Sequence, residues 1–243
     1  MKPYQSISID DCGEPLVTIS SEFAFANPHA YQSLGAPYGD RSPFYLRSGV
    51  LARLQRSQAF LQQIHPDWRI LIFDAYRPIS VQQFMVEHTL TQLAVERGWQ
   101  KEDLSLLQHQ ELMTIVLQFW AIPSHDPATP PPHSTGAAID VTLVDRNGKE
   151  IDLGGAIDEI SPRSFPDYYA SDSSFNGQEF VDRRELLQKV MNFSGFQRHP
   201  HEWWHFSYGD QMYFWLVGSN QVDRKATDLS PIDRKVACYG GCF

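Results

Sequence analysis

Apolar residues recur at helical spacing in four segments of the chain. In the first of these segments Val50, Leu54 and Leu61 fall on one face of a helix. The last segment is followed by Gly195, a residue typical of the position just after a helix. The pattern therefore predicts helices at residues 49–64, 80–97, 103–121 and 182–194.

Short apolar or alternating runs bounded by polar turns indicate β-strands. They lie at residues 68–74, 137–143, 203–208 and 212–217, and residues 208–211 are predicted to be a hairpin connection between the last two. Helices combined with a few such strands indicate an α+β domain, in which the helices pack on a small, mostly antiparallel sheet.

Composition is that of one globular domain, because 42% of the 243 residues are hydrophobic and no linker or repeat divides the chain. We expect a core at about 20–217, a proline-rich loop at 124–133 and a tail at about 220–243. The formal net charge of −9 argues against a nucleic-acid partner.

Neither a secretory signal nor a run of about 18 apolar residues is visible, so we expect a cytoplasmic protein without membrane contact. The sequence does not indicate an oligomeric state.

Three cysteines occur in the chain, an odd number that argues against a disulfide framework. Two of them, Cys238 and Cys242, lie in the tail and could pair or bind a ligand. We expect a loose tail with free thiols, because chain termini are commonly poorly ordered.

The segment 201–206, HEWWHF, matches the H-E-x-x-H motif in which two histidines one helical turn apart bind zinc. Pro200 precedes it and its aromatic residues favour a strand over a helix. No histidine or glutamate follows His205 as a third ligand. A helical zinc motif is therefore disfavoured, and only an aspartate variant of it would remain.

An upstream segment offers other partners for Glu202 and His205. His133 and Asp140 lie seven positions apart, with small residues at 136–138 between them. A histidine on a loop and an aspartate on the strand that follows can reach the same point as His205. Two histidines and one aspartate would leave the fourth position of a tetrahedral zinc ion open, as a catalytic zinc requires. Each residue alone has an ordinary interpretation, as a loop, turn or aromatic-cluster residue.

Arg77 lies where the strand 68–74 ends, and Pro78 disfavours a helical conformation at Arg77. One interpretation is an ion pair with Asp74 or another carboxylate. The other is a cation that stabilises the oxyanion formed when water attacks a carbonyl group.

Four motifs in this order resemble those of the D-alanyl-D-alanine dipeptidase family, over roughly residues 20–215. This family belongs to the zinc peptidases, together with D,D-carboxypeptidases, phage endolysin peptidases and hedgehog-like domains. The motifs are DAYRP (74–78), HSTGAAIDVTL (133–143), DLGGAIDEIS (152–161) and GFQRHPHEWWHF (195–206).

The resemblance implies that His133, Asp140 and His205 bind one Zn²⁺ per chain, that Glu202 is the general base and that Arg77 stabilises the transition state. It implies hydrolysis of the dipeptide D-alanyl-D-alanine to two D-alanine molecules.

Further roles follow from the same resemblance. The acidic segment 152–159 would recognise the amino group of the dipeptide, with Asp158 as the favoured residue. His201 has no role in the family. The family motif opens Ser-x-His, whereas Pro131 occupies the serine position here, so a hydrogen bond to the substrate would be missing.

Three alternatives stay open. One is a D,D-carboxypeptidase or endolysin-type peptidase that acts on longer cell-wall peptides through the same metal ligands. A second is a zinc-binding module without catalysis, against which Glu202 and Arg77 argue. The third is an acidic globular protein without a metal.

Overall fold

The helices and strands are seen in a computed structural model that describes residues 2–220 and 236–242. In these ranges the helices are α1 (Ala30–Ser33), α2 (Ser48–Ile64), α3 (Ile79–Glu96), α4 (Leu106–Phe119), α5 (Phe175–Phe193) and α6 (Gln211–Asn220). The strands are β1 (Ser8–Ile9), β2 (Leu16–Thr18), β3 (Ala24–Phe25), β4 (Tyr45–Arg47), β5 (Arg69–Asp74), β6 (Ala138–Val144), β7 (Gln197–Arg198), β8 (His205–Ser207) and β9 (Val236–Ala237).

A five-stranded sheet forms the centre of the molecule, with the strand order β3-β5-β6-β8-β7. The pairings of β5 with β6, β6 with β8 and β8 with β7 are antiparallel, whereas β3 pairs with β5 in parallel. The α+β prediction is confirmed. The sheet is mixed because of its short parallel edge strand, which no sequence pattern indicated.

The side chains of strand β6 alternate between the apolar core on one face of the sheet and the polar residues on the other face. Every residue of this strand is buried. Ile139, Val141 and Leu143 join the main apolar cluster, to which α2 contributes Leu54 and α5 contributes Leu187. Because successive side chains point to opposite faces of a strand, the residues between these three face the other side of the sheet. A second apolar cluster packs α3 against α4.

The four predicted helices are present, and three of them begin and end within three residues of the predicted bounds. The fourth, α5, begins at Phe175, seven residues before its predicted start. Its N-cap is Ser174, whose side chain accepts a hydrogen bond from the backbone N–H of Gly177. Phe175, in the first turn, is exposed to solvent and does not belong to a buried apolar face. The spacing of apolar residues therefore did not indicate the start of this helix.

The strand predicted at 212–217, and with it the hairpin at 208–211, is wrong because this segment forms α6. The Asp210 side chain accepts a hydrogen bond of 2.8 Å from the backbone N–H of Tyr213, which caps the first turn. Met212 and Leu216, one turn apart, then pack on Tyr4. A continuous apolar run does not distinguish a buried strand from a buried helix, and these non-local contacts decided between them.

Residues 236–242 correct the expectation of a loose tail, while 221–235 lie outside the described residues. Strand β9 pairs in parallel with β1. Tyr239 is buried, and the backbone N–H of Cys242 donates to the carbonyl oxygen of Ser134. Cys12, Cys238 and Cys242 are free thiols. No helix in the described ranges is long and apolar enough to cross a membrane.

Candidate active site

The register of the central sheet aligns three polar residues in one row. Asp74 on β5 faces Asp140 on β6, and Asp140 in turn faces His205 on β8. Side chains directly opposite each other in antiparallel strands lie on the same face. A register irregularity between Ile72 and Asp74 shifts the end of β5 and sets this alignment.

His133 reaches the same row from the short 3-10 turn Pro132–Thr135. The turn ends at Gly136, whose φ of 69° lies in the left-handed region that favours glycine. The Nδ1 atom of His133 lies 2.7 Å from the carbonyl oxygen of Ala75. A hydrogen bond donated to that oxygen leaves Nε2 free, and Nε2 points toward Asp140 at 3.3 Å.

The ligand atoms of His133, Asp140 and His205 lie within 4.8 Å of one another, and all three residues are buried. His205 presents Nδ1, which is 3.1 Å from Asp140 Oδ1. Its Nε2 lies 3.4 Å from the hydroxyl of Ser207, which donates to Asp210. Each histidine thus directs one ring nitrogen toward the common point and anchors the other, as metal-binding histidines do.

The donor set fits a divalent cation such as zinc. Two imidazole nitrogens and one carboxylate oxygen are zinc ligands, and three protein ligands leave one position for water or substrate. The charges that line the cleft also favour a cation. The carboxylates of Asp140, Asp158 and Glu202 outnumber the positive groups of Arg77 and Lys2. Burial, and then Asp140 and Asp158, raise the pKa of Glu202 well above its usual value. A cation between these carboxylates would offset their mutual repulsion.

Glu202 lies in the bend before β8 and is 8% exposed. Its Oε2 is 3.7 Å from His205 Nδ1 and 3.8 Å from His199 Nδ1. The segment around it is not helical, so the H-E-x-x-H match is accidental. His201 is exposed and its ring contacts Phe165, outside the group formed by the three ligands.

Arg77 is buried and forms the ion pair with Asp74 that was one of its two sequence-based interpretations. Its Nε donates to Asp74 Oδ2 at 2.9 Å and its Nη1 donates to Gln82 at 3.0 Å. Its Nη2 lies 3.4 Å from Asp140 Oδ2. The guanidinium is therefore paired with Asp74 and at the same time directed to the three candidate metal ligands.

Asp158 lies in the same cleft and is the one described non-glycine residue with a positive φ, 62°. The hydroxyl of Tyr31 donates to its Oδ2 at 2.6 Å. Arg77 in turn donates to the Tyr31 oxygen at 3.1 Å. Burial, assisted by Asp140, raises the pKa of Asp158 to about 6. A carboxylate is thus held at the wall of the cleft that also contains the candidate metal ligands.

Sequence reasoning missed several residues that line the cleft, which has a volume of about 470 Å³ including its mouth. They come from the N-terminal segment, from α3, from the end of α4 and from the segment before β8. No motif marks them, because their contribution depends on packing between distant segments. They include Lys2, Tyr4, Gln82, Trp120 and His199.

The sequence of this chain is similar to those of known D-alanyl-D-alanine dipeptidases. A D-alanyl-D-alanine dipeptidase of Synechocystis sp. is 47% identical over 247 residues, which cover 99% of this chain and 96% of that protein. The D-alanyl-D-alanine dipeptidase of Enterococcus faecalis is 26% identical over 155 residues, covering 62% of this chain and 69% of that protein.

A solved structure of the LdcB LD-carboxypeptidase has a TM-score of 0.44 and 14% sequence identity, covering 89% of this chain and 76% of that one. Residues 24–226 match the family described as D-ala-D-ala dipeptidase. The resemblance inferred from the four motifs is confirmed, and the chain is a peptidase that belongs to the D-alanyl-D-alanine dipeptidase family.

Proposed function

We propose that this protein hydrolyses D-alanyl-D-alanine to two D-alanine molecules with one zinc ion per chain. The observation that carries the proposal is the convergence of His133, Asp140 and His205 with Glu202 in one buried cleft. The two D-alanyl-D-alanine dipeptidases named above, one of them matched over nearly its full length, support the choice of a dipeptide as substrate.

The zinc ion would be held by Nε2 of His133, Nδ1 of His205 and a carboxylate oxygen of Asp140. When bound, zinc supplies a Lewis acid that makes a coordinated water acidic near neutral pH and polarises the scissile carbonyl. Ala75 orients the His133 ring through its carbonyl oxygen. Ser207 does the same for His205 through its hydroxyl.

Glu202 is the proposed general base. Its carboxylate lies 3.7 Å from Nδ1 of His205, within reach of a water that would be held at the open metal position. It takes a proton from that water and passes it to the leaving amine. Burial raises the pKa of Glu202, and a bound cation would favour the ionised carboxylate that accepts the proton.

Arg77 is proposed to stabilise the oxyanion that forms on the attacked carbonyl. Its pairing with Asp74 and Gln82 fixes the plane of the guanidinium, so its Nη2 is held beside Asp140 before substrate arrives. Loss of one such donor typically lowers the rate on the order of 100- to 1000-fold.

Asp158 is proposed to bind the free amino group of the dipeptide. Above its pKa of about 6 it is a carboxylate and offers a negative partner to an ammonium group. Pro131, in the position of the family serine, has no hydroxyl to donate to substrate.

Activity on two substrates distinguishes a dipeptidase from the alternative functions. D-alanine release by the zinc-loaded protein is measured with free D-Ala-D-Ala and with an N-acylated peptide that ends in the same residues. We expect cleavage of the free dipeptide. Preference for the acylated peptide would make the protein a carboxypeptidase or endolysin-type peptidase, and cleavage of neither would favour a non-catalytic zinc module.

The base assignment is tested with Glu202→Gln, which keeps the size of the side chain but cannot accept the proton. We expect one zinc per chain by metal analysis and a loss of kcat of more than about 100-fold. Glu102→Gln, at an exposed site, is the matched control and should behave as the wild type. Zinc loss or unchanged turnover in Glu202→Gln would refute the assignment.

A further inference from the structure

The N-terminal segment forms one wall of the catalytic cleft. Lys2 and Tyr4 line the cleft together with the metal ligands, Glu202 and Asp158. The ammonium group of Lys2 donates a hydrogen bond of 3.4 Å to the carbonyl oxygen of Trp120. The Trp120 ring in turn lies 5.0 Å from the guanidinium of Arg77. The ammonium group of Lys2 is thus a second positive group lining the cleft, in addition to Arg77.

Lys2 is held in place by local structure and by packing. Its backbone N–H donates to the side chain of Gln5 at 2.8 Å, and its carbonyl oxygen accepts from the backbone N–H of Gln5 at 3.0 Å. Two residues on, Tyr4 is only 3% exposed and packs with Met212 and Leu216 of α6. The start of the Lys2 side chain is therefore fixed beside the cleft.

The ammonium group has no carboxylate partner within ion-pair distance, 4.0 Å, among the described residues. Burial lowers the pKa of Lys2, and Glu202 raises it only in part. A partly buried ammonium without a counter-ion is unfavourable, so an anion that enters the cleft gains a charge-assisted hydrogen bond. Arg77 is paired with Asp74 and lies beside Asp140, where it is proposed to meet the attacked carbonyl, so it is not the partner proposed for a carboxylate.

We propose that Lys2 binds the α-carboxylate at the C-terminal end of the dipeptide substrate, an inference that rests on the proposed function. A dipeptide at neutral pH carries an ammonium group at one end and a carboxylate at the other. The cleft offers Asp158 for the first and Lys2 for the second, with the metal ligands lining the same cleft. Lys2 would make a free C-terminal carboxylate a requirement for tight binding.

The experiment compares the wild type with Lys2→Met on D-Ala-D-Ala and on its C-terminal amide, both with a free amino group. For the wild type we expect a lower KM for the acid than for the amide. Lys2→Met should raise the KM for the acid about 10- to 100-fold, which corresponds to the loss of a hydrogen bond to a charged group. The kcat should change less than about 3-fold, because Lys2 does not contact the reacting carbonyl, and the KM for the amide should change little.

Two further variants control the result. Lys189→Met removes one positive charge from an exposed site of α5 and should leave both KM values unchanged. Lys2→Arg should keep most of the preference for the acid. An unchanged KM for the acid in Lys2→Met would overturn the proposal. A fall in kcat shared by acid and amide, with a shifted pH profile, would also overturn it, because Lys2 would then act on Glu202.

A binding measurement separates failure of this inference from failure of the proposed function. Calorimetry with zinc-loaded Glu202→Gln and D-Ala-D-Ala, with and without Lys2→Met, measures affinity without turnover. Weaker binding of the double variant supports the role of Lys2 even if the wild type proves unable to cleave the dipeptide. Equal binding of both proteins would reject it.

Discussion

At the residue scale, side chains of the proposed site are held in place by hydrogen bonds to neighbouring groups. His133 bonds to the carbonyl oxygen of Ala75 and Arg77 bonds to Asp74, so neither side chain is free to rotate away from the cleft. The entropy of ordering these groups is therefore paid during folding rather than on substrate binding. Substitutions at this scale should separate binding from turnover.

Asp158→Asn tests the proposed contact with the substrate ammonium group. Asparagine accepts a positive φ well, and its side-chain oxygen can still accept from Tyr31, so the fold should persist. We expect the KM for D-Ala-D-Ala to rise about 10- to 100-fold with little change in kcat, because a charged partner is lost. Initial rates of D-alanine release give both constants. An unaltered KM would remove Asp158 from the binding site.

Asp210 gives a pH-dependent prediction for stability. Burial raises its pKa to about 7 in the folded chain, whereas an aspartate in an unfolded chain titrates near about 4. Between these values the folded state holds more protons, so stability is full below pH about 4 and is lost as the pH rises to about 7. The slope for one group is at most about 1.4 kcal/mol per pH unit.

Asp210→Asn removes this titration. The free energy of unfolding of the variant minus that of the wild type should therefore be more positive at pH 8 than at pH 4.5. Denaturant unfolding of both proteins, freed of metal with a chelator, measures the difference. Asp103→Asn, at an exposed position, should show no such trend. A difference that is independent of pH would contradict the raised pKa.

At the element scale, the turn between His133 and β6 decides whether the ligands meet. Gly136 has a φ of 69°, and a Cβ atom there would collide with a methyl carbon of Leu16. Its carbonyl oxygen also accepts from the backbone N–H of Arg47 at 2.9 Å. The left-handed φ and the approach of Leu16 both disfavour a side chain at this position.

Gly136→Ala should therefore be more harmful than an alanine at another left-handed glycine. Gly148, with a φ of 77°, has no atom within 4 Å of a Cβ position, so Gly148→Ala should cost about 1 kcal/mol. Gly136→Ala should cost at least about 2 kcal/mol more, from overpacking, and should weaken zinc binding. Denaturant unfolding and zinc titration measure the two effects. Equal costs for both variants would show that Leu16 moves aside freely.

At the scale of the whole molecule, residues 8–11 and 236–242 meet next to the turn that carries His133. Arg47 links them, because it bonds to Asp11, to the carbonyl oxygen of Gly240 and to the carbonyl oxygen of Thr135. The carbonyl oxygen of Cys242 accepts from the Tyr76 hydroxyl at 2.6 Å. The C-terminal segment thus supports both the turn of His133 and the strand end that carries Arg77.

Removal of residues 236–243 should therefore lower both stability and activity. We expect a loss of about 3 to 5 kcal/mol, because Arg47 loses an acceptor and the buried Tyr239 is deleted. A full-length chain with Cys238→Ser and Cys242→Ser keeps the backbone contacts and should stay within about 1 kcal/mol of the wild type. Unfolding and D-alanine release are compared for the three proteins. An unaffected truncated protein would refute a structural role for this segment.

The sequence predicted those features that depend on neighbours along the chain. Spacing of apolar residues located helices α2 to α5 and strands β5 and β6, because the 3.6-residue and two-residue periods are local. The motifs around His133, Asp140 and His205 identified the family, because the order and spacing of motifs can be read from the sequence without a structure. They also distinguished this set from the accidental match at His201.

The tertiary structure decided what depends on distant segments. The apolar run at 212–217 became a helix through Asp210 and Tyr4, and residues 236–242 became ordered through β1. Lys2 lines the cleft only because α6 holds the N-terminal segment there. Periodicity along the chain carries no information about which remote surface a segment will meet. The sequence alone therefore determined the longer helices α2 to α5, the strands β5 and β6, and the candidate ligands. Packing and strand register brought those ligands together.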